Sequence, residues 1–198
     1  MMVALPSVFA ETRKTVVVLG DSIAAGLGVE PAQAYPALLQ EKINAARLPY
    51  TVVNAGVSGD TTADGLGRLD WLLQRKIDVL IVELGGNDGL RGLAIPTIQS
   101  NLQAIIDHAR KKYPEIRIVI AGMRMPANLG PDYVGAFAKV FPAIASKNQA
   151  ALVPFLLEGV GGDASLNQAD GIHPTAEGHK LVAENVWKAL KPILEPGG

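Results

Sequence analysis

The stretch VVVLGDSIAAG, residues 16–26, runs from four consecutive apolar residues into a glycine, an acid and a serine, and then into small helix-forming residues. It reads as a buried strand, a turn and the start of a helix. Glycine tolerates backbone angles that other residues avoid, and serine often caps helices, so Gly20-Asp21-Ser22 has an ordinary reading as punctuation. What else arrives beside the end of that strand decides whether it is more.

Apolar runs like this one recur along the chain. Thr15–Leu19, Thr51–Asn54, Val79–Leu84, Ile116–Gly122 and Leu152–Phe155 read as strands. Most lack polar alternation, the pattern of parallel strands covered on both faces. Between them Ala34–Ala46, Thr61–Gln74, Pro96–Lys112 and Pro131–Lys147 carry apolar residues at three- and four-residue spacing, and Thr175–Leu190 closes the chain as a last helix. Parallel neighbours need crossover connections, so this alternation predicts an α/β protein: a three-layer α/β/α sandwich around a flavodoxin-like five-stranded parallel sheet of order 2-1-3-4-5.

Length and composition fit one such unit. The 198 residues are 48% hydrophobic and 19% charged, enough for a single core that buries roughly 70% of the unfolded surface. No linker, internal repeat or low-complexity tract divides residues 11–198, which read as a single domain. A formal net charge of −1 without blocks of like charge gives no reason to expect nucleic acid or an anionic membrane as partner. Cysteine is absent, which removes disulfides, thiolate nucleophiles and cysteine-ligated zinc. The first ten residues, MMVALPSVFA, are apolar and end in Val8-Phe9-Ala10 before a polar stretch. They read as the tail of an export signal, placing the protein in the periplasm or outside the cell, or else as a disordered terminus of a cytoplasmic one. No other apolar run approaches the ~20 residues that span a bilayer. Oligomeric state is not written in the sequence; a monomer is the expectation.

In an open parallel sheet, ligands bind outside the carboxyl ends of the strands. Strand one is followed by Gly20-Asp21-Ser22, strand two by NAGVSGD (54–60), strand three by GGNDG (85–89), and strand five by the long irregular stretch Leu156–Pro174, which ends in ADGIHP (169–174). The topology alone therefore delivers Ser22, Gly59, Asn87 and His173 to one rim. A serine hydroxyl is a poor nucleophile until a base takes its proton, and histidine suits that task near neutral pH. Ser22 and His173 are the candidate pair. Asp170, three residues before His173 in the same turn, can hold the other ring nitrogen and steady the imidazolium. Acyl transfer also places negative charge on the former carbonyl oxygen, and three donors stand at the rim: the Ser22 backbone N–H at a helix start, the Gly59 N–H, and the Asn87 amide pointing inward from strand three.

These blocks, in this order, resemble the SGNH (GDSL) hydrolase superfamily, and VELGGNDGLRG (82–92) with NAGVSGDT resembles its bacterial thioesterase, lysophospholipase and arylesterase branch. One departure is visible: the first block begins GDSI, not GDSL. The resemblance implies the SGNH hydrolase fold, Ser22 as nucleophile, Asp170 and His173 completing the triad, Gly59, Asn87 and the Ser22 amide as oxyanion donors, and cofactor-free hydrolysis of carboxylic esters and acyl thioesters. It also implies a mobile lip over Gly89–Ala94 and an acyl groove along RMPANLG (124–130). Gly89, Leu90, Leu93, Met125, Pro126 and Leu157 would then meet the small-molecule acyl substrate, with Asp21 grouped beside them.

Competing readings concern the same rim. Asp21, Asp60 and Asp88 are oxygen ligands of the kind a Mg²⁺-dependent phosphoesterase uses. Hydrogen bonding that stiffens the turns is preferred, because a metal mechanism leaves His173 and Asn87 without a task. A non-catalytic flavodoxin-like module, such as a receiver domain, wants a lysine after strand five, where this chain has VPFLLEG. No G-x-S-x-G, G-x-G-x-x-G or P-loop is present. His108 reads as a surface residue, His179 as packing on the face of Val182, Val186 and Leu190, Arg124 as an ion-pair partner, and Trp71 and Trp187 as core or boundary anchors.

Overall fold

A computed structural model describes residues 13–195; the readings of residues 1–10 lie outside that range. Five strands, β1 (Lys14–Gly20), β2 (Tyr50–Gly56), β3 (Val79–Glu83), β4 (Arg117–Ala121) and β5 (Ala151–Val153), pair in parallel in the order β2-β1-β3-β4-β5. The central strands are apolar and buried along almost their whole length, as β-branched runs between two helical layers must be. The edge strand β2 is only partly covered.

The helices are α1 (Ser22–Ala25), α2 (Tyr35–Ala45), α3 (Thr62–Leu72), α4 (Gly86–Leu90), α5 (Ile95–Lys112), α6 (Pro131–Lys147) and α7 (Ala176–Leu194). α2 packs with α7, while α3, α5 and α6 pack in succession, so helices cover both sides of the sheet. α2 buries Tyr35, Leu39 and Ile43, and α5 buries Ile98, Leu102, Ile105, Ile106 and Ala109, the spacing of a core-facing stripe. These side chains join Val16–Leu19, Val79–Val82 and Ile118–Ala121 in the core.

Register levels the strand ends. Gly20 stands beside Gly56 on one side and Glu83 on the other, so the residues that follow β1, β2 and β3 emerge at one height.

Several element boundaries differ from the sequence reading. β2 runs on through Gly56 because the polar Asn54 serves the edge itself, its amide donating to the Ala24 carbonyl at 2.7 Å and its oxygen accepting from the Gly56 N–H at 2.9 Å. β5 stops at Val153 because Pro154 has no N–H for the ladder; beyond it Leu156 N–H donates to the carbonyl of Gly122, just after β4, at 2.8 Å. α7 continues past Leu190 and through Pro192, keeping Leu194 in the core. Trp71 is not an anchor: it is 71% exposed on the outer side of α3. His108 is exposed, 3.9 Å from Asp70.

Candidate active site

Asp21 caps α1. Its Oδ1 accepts from the Ile23 N–H at 3.0 Å, and Ser22 becomes the first helical residue directly above the end of β1. The helix is cut after a single turn by Gly26, whose left-handed backbone lets its N–H return to the Ser22 and Ile23 carbonyls. Ser22 is thereby fixed at the sheet edge, half-buried.

The partner arrives from the far end of the chain. The loop after β5 is closed by an antiparallel bridge between Asn167 and Pro174, and within it Gln168 N–H donates to the His173 carbonyl at 2.7 Å. Asp170 builds the turn from its own side chain: Oδ1 accepts from the Ile172 N–H at 2.9 Å and the His173 N–H at 3.0 Å, while Oδ2 lies 2.6 Å from His173 Nδ1. On the opposite side of the ring, His173 Nε2 is 2.8 Å from Ser22 Oγ. The three donors to its carboxylate hold Asp170 well below the usual range, at about 2.

The other rim loops face the same place. Gly59 has φ +88°, a conformation an L side chain resists. Neither its N–H nor that of Ser22 has an acceptor among the described residues. Asn87 belongs not to β3 but to the short helix α4, whose first turn aims the amide back: Nδ2 donates to the Asp60 carbonyl at 3.0 Å and lies 3.4 Å from Asp21 Oδ2. Arg91 closes the gap between these loops, donating to the Gly59 carbonyl at 2.9 Å.

Each rim aspartate has its own partners. Asp60 pairs with Arg68 at 2.6 Å, and Arg68 also donates to the Gly20 carbonyl at 3.0 Å. Asp88 is fully buried, accepting from the Thr62 N–H at 2.8 Å and hydroxyl at 2.5 Å. Asp21 is 3% exposed with its carboxylate turned inward, which removes it from the substrate-facing set. Among the described residues no three such ligands converge.

The residues expected along the acyl groove differ in burial. Gly89 is buried against Met125 and Phe137, so it is a packing position and not a lip residue. Leu90 is 43% exposed and Leu93 half-buried, its carbonyl accepting from the Tyr133 hydroxyl at 2.8 Å. Met125 and Leu157 are half-buried against the core, and Pro126 is exposed. A cavity of about 290 Å³ lies away from these residues, between β5 and α7. Arg124 meets Glu158 at 3.7 Å and covers the Phe155 ring.

Two site residues had weak or no signals in the sequence. Glu83 ends an apolar strand as its one charged residue, a pattern that marks a buried acid. Gln168 carries no signal: it joins the halves of the site by donating to the Leu27 carbonyl at 2.6 Å and the Pro174 carbonyl at 3.0 Å.

Known proteins carry the same arrangement of chain. "Esterase TesA" of Pseudomonas aeruginosa is 46% identical over 182 residues, 91% of this chain and 90% of that protein. "Thioesterase 1/protease 1/lysophospholipase L1" of Escherichia coli is 37% identical, covering 93% of this chain and 87% of its own length. The crystal structure of the psychrotrophic esterase EstA from Pseudoalteromonas sp., inhibited by monoethylphosphonate, superposes with a TM-score of 0.85 at 31% identity, over 91% of this chain and 98% of that one. Residues 18–181, which include every rim loop described above, match the GDSL-like lipase/acylhydrolase family, and the chain belongs to that family.

Proposed function

We propose that this protein is a serine hydrolase of carboxylic esters and acyl thioesters, working through an acyl-Ser22 intermediate. The observation that carries the reading is the continuous line from Ser22 Oγ to His173 Nε2, 2.8 Å, and from His173 Nδ1 to Asp170 Oδ2, 2.6 Å. His173 takes the Ser22 proton as Oγ bonds to the acyl carbon, and the carbonyl π electrons move to oxygen. The Ser22 and Gly59 N–H groups and the Asn87 amide face that developing charge. Collapse of the adduct breaks the bond to the alcohol or thiol, which leaves with the proton from His173. Water, deprotonated by the same imidazole, then attacks the acyl-serine and releases the carboxylic acid.

Leu90, Leu93, Met125 and Pro126 receive the acyl chain in this reading, and the alcohol or thiol portion stays in solvent. The names of the relatives, esterase, thioesterase and lysophospholipase, support an apolar acyl group joined to varied leaving groups. Residues 11–198 act as one domain and as a monomer. Export to the periplasm or beyond rests on Val8-Phe9-Ala10 as a cleavage site, and sequencing the amino terminus of the mature protein checks it.

An ethylphosphonate ester that carries a good leaving group tests the chemistry. Mass spectrometry should find one adduct on the peptide containing Ser22, with loss of p-nitrophenyl ester hydrolysis in step. Ser22→Ala should take no label and lose turnover while its unfolding temperature stays near that of the parent. Turnover retained by Ser22→Ala rejects the proposal.

A further inference from the structure

Beneath Ser22 lies an ionisable group that the reaction above does not use. Glu83, the last residue of β3, is 0% exposed and stands in register with Gly20. Because Gly20 has no side chain, the Glu83 carboxyl can lie across the end of β1; a Cβ at Gly20 would overlap Glu83 Oε2. From that position Oε2 accepts from the Asp21 N–H at 3.2 Å, and the buried Oε1 has no hydrogen-bond partner among the described residues. Asp21 relays the contact in two directions. Its Oδ1 holds the first turn of α1, which carries Ser22, and its Oδ2 faces Asn87 Nδ2 at 3.4 Å.

Two carboxylates this close and this enclosed do not both ionise, because neither repulsion nor desolvation is relieved by water. The charged and titratable groups around the pair are Tyr35 from α2, Asp60 from the loop after β2 and His173 from the loop before α7. Arg68 from α3 is nearby, engaged by Asp60 and the Gly20 carbonyl. Burial drives the Glu83 carboxyl far above the ordinary range, whereas Asp21, which accepts the Ile23 N–H, is raised only to about 6. The Asp21 carboxylate is the better place for the charge, because its oxygens accept from the Ile23 N–H and from Asn87 Nδ2 while the buried Glu83 Oε1 has no such donor among the described residues, which leaves the proton to Glu83.

We propose that Glu83 is a positioning residue: a buried carboxylic acid whose O–H donates to the Asp21 carboxylate and which, through Asp21, orients Ser22 and the Asn87 amide for acyl transfer. The proposal rests on the acyl-Ser22 reading. A single negative charge then serves both acids. That charge keeps the NH₂ of Asn87, and not its carbonyl oxygen, turned toward the rim, since an amide oxygen facing a carboxylate is repelled.

Three proteins decide it: the parent, Glu83→Gln and Glu83→Leu. Glutamine keeps the shape, donates to Asp21 and accepts from its N–H; leucine does neither. Glu83→Gln should retain kcat within roughly threefold, while Glu83→Leu should lose at least about tenfold in kcat with KM nearly constant. Infrared difference spectra at neutral pH should show a protonated-carboxyl C=O band in the parent that is missing from Glu83→Gln. Equal damage in both variants, or no such band, overturns the proposal, and the glutamine variant and the band still decide it if Glu83→Leu does not fold. Phosphonate labelling separates the two levels of inference. A parent unlabelled at Ser22 ends the acyl-serine reading, whereas Glu83→Leu labelled as fast as the parent ends only this one.

Discussion

Asp170 grips His173 twice: one carboxylate oxygen lies 2.6 Å from the ring Nδ1, and the other accepts the backbone N–H of the same residue at 3.0 Å. The side chain that fixes the imidazole tautomer thus also folds the turn on which the imidazole sits. The cluster is locally built, and 44% of the Asp170 side chain is exposed, so water would share in solvating an imidazolium formed in the proposed reaction.

Asp170→Asn separates the two grips. The asparagine oxygen can still accept the Ile172 and His173 amides, but the negative charge is gone. Steady-state kinetics should show kcat lower by about 10²-fold, less than the ~10⁴ seen where the corresponding acid is buried, with an unchanged unfolding temperature. A fall in kcat below twofold would falsify the assigned role.

Asn87→Ala removes one of the three donors proposed for the developing oxyanion while leaving the Ser22 and Gly59 amides in place. Because a donor in that role gains most in the transition state, kcat should drop by roughly 10²-fold and KM should move little. The check is a full saturation curve on one ester substrate; a change confined to KM would assign Asn87 to ground-state binding.

His179 predicts an acid sensitivity distant from the chemistry. The ring is fully enclosed, stacked on Tyr35 at 6.4 Å between centroids, and its Nδ1 accepts the Tyr35 N–H at 3.3 Å. Burial, with His173 nearby, lowers its pKa from 6.5 to about 4. The unfolded chain therefore binds the proton first as pH falls, and the stability present above pH 6.5 is lost progressively toward pH 4. Asp21 works the other way, since its raised pKa adds stability as pH falls from about 6 toward 3.8. Urea unfolding of the parent and His179→Gln isolates the first effect. Between neutral pH and about pH 4.5 the parent should lose on the order of 2–3 kcal/mol more than the variant.

Leu90→Ala tests the acyl slot. Each buried methylene contributes about 0.8 kcal/mol, and Leu90 covers its neighbour from one side only, so kcat/KM for long-chain p-nitrophenyl esters should fall about threefold. The acetate ester, too short to reach the residue, should react as in the parent. A uniform fall across chain lengths would place Leu90 outside the slot.

The repeated apolar runs and the amphipathic segments between them determined the parallel sheet and the rim on which Ser22, Gly59, Asn87 and His173 meet, while the strand order was expected by likeness to flavodoxin-like sheets and is what the structure shows. Periodicity and connection length are local properties, and crossover topology converts them into a shared edge. The Asp170–His173 turn was legible for the same reason, being only three residues long. The acyl groove was less so. Leu90 stayed exposed, but Gly89 turned out to pack under Met125, because facing a slot depends on which neighbours arrive from other strands. Gln168 and the inward turn of Asp21 belong wholly to the tertiary structure, and Glu83, marked as a buried acid by its place at the end of an apolar strand, gained its partner only there. Their roles come from partners 62 and 141 residues away, Asp21 for Glu83 and Leu27 for Gln168, and no local pattern encodes which buried polar atoms will need each other once the strands are side by side.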